Sequence, residues 1–77
     1  MKIKVLLFGI LAEEAGKDEI VAGPVSNLHE LKDIVLKQYP SFNKYKFNIS
    51  VNHMILHTNT DLKEGDEVAF LPPFAGG

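Results

Sequence analysis

Residues 67–77 read EVAFLPPFAGG, from Glu67 to Gly77. Glu67–Leu71 has the composition of a strand, and Pro72-Pro73 ends it, because proline has no N–H for a ladder and is excluded from sheet interiors. Gly76 and Gly77 offer a packed core no side chains. The last regular element therefore opens onto a stretch that narrows to bare backbone. Either this end is frayed and inert, or the carboxylate of Gly77 is itself the working part. Where the final strand pairs decides the fold.

Reading outward, the opposite end of the chain supplies a second apolar strand. In Lys2–Phe8, Ile3, Val5 and Leu7 point one way, and Lys2, Lys4, Leu6 and Phe8 the other. After Gly9, ILAEEAGK predicts a short helical turn ending at Gly16. Asp18–Ala22 predicts a strand paired with the first as a hairpin, broken by Gly23-Pro24. Asn27 and Glu30 have the spacing of a capping box and open the clearest helix. Leu28, Leu31, Ile34, Val35 and Gln38 share one side of it, and Pro40 stops it at or just before Tyr39. Lys46–Asn52 alternates, with Phe47, Ile49 and Val51 inward and Asn48, Ser50 and Asn52 outward. A tight turn at Asn52-His53 leads to a short strand, Met54–His57, and a loop turning at Glu64-Gly65-Asp66 leads to the last strand. This order predicts one α+β domain over residues 1–77, with a helix across one face of a mixed sheet and residues 72–77 as a flexible tail.

Composition narrows the function. A chain of 77 residues holds one domain. Without cysteine it has no disulfide, thiolate metal site, iron–sulfur ligation or side-chain sulfur nucleophile. The net charge is −2, and Lys32, Lys37, Lys44 and Lys46 are diluted by acidic and apolar neighbours, which argues against nucleic acid as a partner. The apolar run Val5–Ala12 is too short to span a bilayer and lacks a signal-peptide cleavage site. A cytoplasmic protein without a membrane partner is expected.

If the helix covers one sheet face, the other is expected to be polar. Lys2, Lys4, Asn48, Ser50 and Glu67 obey; Leu6, Phe8, Ala69 and Leu71 do not. With the first and last strands parallel and adjacent, these four gather where the tail leaves, bordered by Ile55. This cluster is either a docking surface, worth roughly 1.5–3 kcal/mol per large side chain before association costs, or a face covered by the early turn through Ile10 and Leu11. Phe74 gives the tail one apolar anchor. A carboxylate is a poor acyl donor until activated as a mixed anhydride, and the chain has no phosphate-cradling loop. A carboxylate that works here therefore needs a separate enzyme that uses ATP, with no cofactor bound by the chain itself.

IKVLLFGILAEEAG (residues 3–16) and LKEGDEVAFLPPFAGG (residues 62–77) resemble the MoaD/ThiS family of β-grasp sulfur carriers, which includes the small subunit of molybdopterin synthase. The likeness runs from Lys2 to Gly77 and is most specific in the last sixteen residues. It implies a ubiquitin-like β-grasp fold, with the last strand inserted beside the first. It also implies that Gly77 is adenylated by a ubiquitin-activating-type enzyme and converted to a thiocarboxylate with sulfur from a donor system. The tail then enters the large subunit of a heterotetramer, where sulfur passes to cyclic pyranopterin monophosphate to form the dithiolene of molybdopterin. On this resemblance Gly76 gives backbone access to both active sites, and Phe8, Ile55 and Leu71 fall where the family places apolar partner contacts. An arginine often found after the first strand is replaced here by the Ile10-Leu11-Ala12 region.

Two other classes stay open. A ThiS-type carrier for thiazole synthesis, or another thiocarboxylate carrier, also ends in Gly-Gly, though ThiS-type carriers typically lack the Pro-Pro. A non-covalent β-grasp binding module would have no use for a free Gly-Gly end. His53 and His57 are more simply surface histidines than a metal pair. Asp61, Glu64, Asp66 and Glu67 form a solvated turn without calcium-loop order. Glu13 and Glu14 lack a partner for acid–base work. The chain is expected to carry no catalytic apparatus of its own.

Overall fold

The final strand lies inside the sheet. The computed structural model describes residues 1–73, and in it β1 (Ile3–Leu7), α1 (Gly9–Ala15), β2 (Glu19–Ala22), α2 (Leu28–Gln38), a 3₁₀ turn (Pro40–Lys44), β3 (Asn48–Val51), β4 (Met54–Leu56) and β5 (Glu67–Leu71) follow in that order. The sheet order is β2-β1-β5-β3-β4. β5 runs parallel to β1 and antiparallel to β3, while the β1–β2 and β3–β4 pairs are antiparallel. This is the mixed sheet of a ubiquitin-like β-grasp fold. Among the described residues, no helix is long and apolar enough to cross a membrane.

The alternation of β1 does what its pattern predicts: Ile3, Val5 and Leu7 are buried. They meet Leu28, Leu31 and Val35 of α2, Val68 and Phe70 of β5, and Ile49 and Val51 of β3 in one core. Burying each large aliphatic side chain contributes about 1.5–3 kcal/mol. Phe47 stacks on Phe70 at 4.9 Å and closes the core on the β3 side.

α2 begins where Asn27 accepts a hydrogen bond from the Glu30 N–H at 2.9 Å. The Glu30 carboxylate reaches back to the Ser26 N–H and hydroxyl, both at 2.8 Å, rather than to Asn27. The helix ends at Gln38, before Pro40. The following 3₁₀ turn buries Phe42 completely and stacks it on Tyr39.

α1 has only seven residues and no side-chain cap, too short to persist alone. It is held by Leu11, which is fully buried in the core. That placement decides against one of the two alternatives for the outer face: Leu11 lies in the core and Ile10 packs against it, so the early turn does not cover that face through them. At Gly23 (φ +138) a Cβ would stand 2.6 Å from the Met1 carbonyl oxygen, so only glycine fits where the chain passes its own start.

Candidate functional site

The face of the sheet away from α2 is laid out by register. Glu19, Leu6, Ala69, Ser50 and Ile55 form one row across all five strands. Cross-strand partners share a face, so this row belongs to the open side. Ala69 and Ser50 are only 8% and 5% exposed although no helix covers them. They are small residues sunk between the larger Leu6 and Ile55, and the row dips at its centre. Ser50 points outward as its alternation predicts, but its neighbours bury it.

Two residues along, Leu71 lies opposite Asn48. Phe8 follows β1 on the same side as Leu6 and is 39% exposed. Ile55, on the outer strand, is 46% exposed. Leu6, Phe8, Ala69, Leu71 and Ile55 thus lie together on the open face. Because β5 is parallel to β1 with Leu7 opposite Phe70, the chain leaves the sheet beside Phe8. Pro72 is buried there, close against Gly9, and Pro73 is exposed. Phe74, Gly76 and Gly77 lie outside the described residues.

The other half of the face is charged. Lys4 lies opposite Glu67 and Val21 and pairs with Glu19 at 3.9 Å. His53 approaches Glu67 at 3.6 Å. Exposed pairs of this kind add about 0–1 kcal/mol, so they bound the apolar patch more than they stabilise the fold. Asn52 ties this end together: its Nδ2 donates to Asp66 at 3.0 Å, and its Oδ1 accepts from the Glu67 N–H at 3.0 Å. The Asn52 bond, with a second from the Lys63 N–H at 2.7 Å, holds the Asp66 carboxyl below its ordinary range. Asp66 is thus a turn residue with a structural role.

Among the described residues, no group of three or more His, Asp or Glu side chains is placed to hold a metal. His53 sits on the hairpin turn, where Asn52 and His53 both take left-handed φ, and His57 lies beyond β4. Glu14 accepts a 3.4 Å hydrogen bond from Tyr45. Alternation placed most of the patch; it gave no sign that Pro72 would be buried at the exit.

The sequence profile of the ThiS family matches residues 5–77. A curated Mycobacterium tuberculosis protein, the molybdopterin synthase sulfur carrier subunit, is 33% identical over 82 residues, covering 100% of this chain and 99% of that one. Molybdopterin converting factor, subunit 1, of Pyrococcus furiosus superposes with a TM-score of 0.86 at 26% identity, covering 96% of this chain and 99% of that one. A chain of the Helicobacter pylori complex of subunits 1 and 2 of molybdopterin-converting factor superposes with a TM-score of 0.75 at 26% identity over 100% of both chains. A profile match through residue 77 and full-length identity to a sulfur carrier subunit place this chain in the ThiS/MoaD family.

Proposed function

We infer that this chain is a sulfur carrier, the small subunit of a molybdopterin synthase, working through the carboxylate of Gly77 when that residue ends the chain. The observation that carries this is the coincidence of the apolar patch, Leu6, Phe8, Ala69, Leu71 and Ile55, with the point where β5 releases the chain. A partner seated on that patch receives residues 74–77 directly. Full-length likeness to a sulfur carrier subunit supports the same reading.

In the proposed cycle the Gly77 carboxylate attacks the α-phosphate of ATP on a separate adenylating enzyme and releases pyrophosphate. A sulfur nucleophile from a donor system then displaces AMP and leaves a thiocarboxylate. Inside the large subunit the thiocarboxylate sulfur bonds to a side-chain carbon of cyclic pyranopterin monophosphate as an oxygen leaving group departs. Water then hydrolyses the resulting thioester, which leaves the sulfur on the acceptor and restores the carboxylate. A second loaded chain supplies the other sulfur of the dithiolene. Gly76 lets the backbone through a channel that would stop a side chain. Phe74 anchors the tail at the channel mouth. The domain supplies affinity through the patch, which offsets the entropy lost when the tail is threaded.

The test is a chain ending at Gly77 beside the same chain extended by one alanine, each reconstituted with an adenylating enzyme, a sulfur donor and a large subunit. The extended chain is expected to bind the large subunit and yield no product. Equal product from both would refute a carrier role for Gly77. A carrier that loads sulfur but supplies thiazole synthesis rather than molybdopterin would move the assignment to the ThiS branch.

A further inference from the structure

On the helix side of the sheet, α2 leaves the β4 edge uncovered. A groove of about 250 Å³ runs between them. Phe47 and Leu56 are among the apolar residues that line it, beside His29 and Lys32 from α2, His57 beyond β4, and Asn59. Among the described residues no carboxylate lines it, although the whole chain has a net charge of −2. The Lys32 Nζ lies 6.0 Å from the centre of the Phe47 ring, at the outer range of a cation–π contact. The His29 N–H donates to Asn59 Oδ1 at 2.8 Å, which fixes the loop after β4 against the first turn of α2.

The size of the groove limits its occupant. Pockets that enclose a small molecule run to roughly 300–1,000 Å³, so this open trough suits a few side chains rather than a cofactor. The strand beside it supplies a second feature. Among the described residues β4 is outermost in the sheet and pairs only with β3. Met54 lies opposite Val51 next to the two-residue turn, and the antiparallel alternation then turns the Ile55 N–H and C=O toward the free edge. A small anion can accept from the N–H but gives the C=O no donor, whereas an extended peptide satisfies both.

We propose that the groove and the β4 edge together bind an extended acidic peptide that adds to β4 as a further strand, with acidic and apolar residues taking turns at every second position, so that both kinds lie on the face it turns to the groove. Its apolar side chains rest on Leu56 and Phe47, and its carboxylates face Lys32, His29 and His57. The groove lies on the opposite side of the sheet from the Phe8–Leu71 patch, so the peptide binds while the open face and tail are engaged. The proposal is independent of the chemistry assigned to Gly77.

The experiment titrates the nitrogen-15-labelled full chain with the capped hexapeptide Glu-Ser-Ile-Ser-Glu-Ser, whose first, third and fifth side chains share one face. Saturable amide shifts are expected at 55–59, 28–32 and Phe47, with the edge-facing Ile55 amide among the largest, weakening as salt screens the charges. Lys32→Glu is expected to weaken binding roughly fivefold. His57→Glu makes the same test at a second exposed position, so failure of one variant to fold leaves the other. Four results would overturn the proposal: no shifts at about 5 mM peptide; an equal response to the peptide with lysine at each acidic position; the same shifts with benzoate alone, which marks a small-anion site; or shifts centred on Leu6 and Phe8.

Discussion

Gly9 and Pro72 touch where β1 ends and the chain leaves β5: a Cβ on Gly9 would stand 3.3 Å from the Pro72 Cγ. Gly9 also holds a left-handed φ of +55, which costs other residues about 1–2 kcal/mol. Gly9→Ala regains about 0.4–1 kcal/mol by restricting the unfolded chain, so a net loss of about 1 kcal/mol remains once Pro72 has to give. With a urea m-value of about 1 kcal/mol/M for so small a domain, the midpoint is expected to fall by roughly 1 M. An unchanged midpoint would mean that Gly9 does not fix the exit.

The patch separates binding from folding. Ile55 is 46% exposed on the outer strand, so Ile55→Asp is expected to change stability by no more than about 0.5 kcal/mol. Affinity for the large subunit is expected to drop at least roughly tenfold, about 1.4 kcal/mol. Phe8→Ala acts in the same direction. Titration calorimetry against the large subunit measures both, and wild-type affinity in both variants would remove the patch from the interface.

Acid pH probes two carboxyls. Glu30, bonded to the Ser26 N–H and hydroxyl, and Asp66, bonded to Asn52 and the Lys63 N–H, are held below their ordinary values of 4.5 and 3.8. A depressed folded-state pKa contributes stability that is complete above the unfolded value and lost as pH falls through the folded one. Unfolding free energy is therefore expected to decline as pH drops below about 4.5. The Glu30→Gln, Asp66→Asn double variant is expected to flatten that decline. Parallel wild-type and variant curves across this window would show that neither carboxyl contributes.

Phe42 is fully buried in the 3₁₀ turn and stacked on Tyr39 at 5.1 Å. Phe42→Ala is expected to lose about 3–5 kcal/mol, comparable to the whole stability of a domain this small. Circular dichroism is expected to find it largely unfolded at 37 °C. A cooperative, near-wild-type melt would contradict the placement of Phe42 in the core.

Legibility followed periodicity. Alternation through Ile3, Val5 and Leu7, the Asn27 cap, the Asn52-His53 turn and the span of β5 could all be read because each is a local pattern with a local cause. The insertion of β5 beside β1 is a long-range pairing, and reading it from the element order leans partly on the family resemblance. Phe42 was invisible because one aromatic in PSFNK has no period; Pro40 marked a stop and not the turn that follows. Glu30 reaches back as the capping-box spacing predicts, and its bonds go to Ser26, a choice that spacing alone does not make. The burial of Ser50 depends on the bulk of its cross-strand neighbours, and the placement of Leu11 on where α1 docks. Neither is written in the residue itself.

The central claim is that Gly77 carries sulfur, and one mass measurement tests it. The chain ending at Gly77 is incubated with ATP, a matching adenylating enzyme and a sulfur donor, then cleaved after Glu67. The fragment 68–77 contains no methionine, so oxidation of Met1 or Met54 cannot imitate the gain. The account predicts a fragment heavier by the exchange of one oxygen for sulfur, with the change localised to Gly77. An unmodified carboxylate, under conditions where the same enzyme loads another carrier, would contradict it and leave a β-grasp binding module.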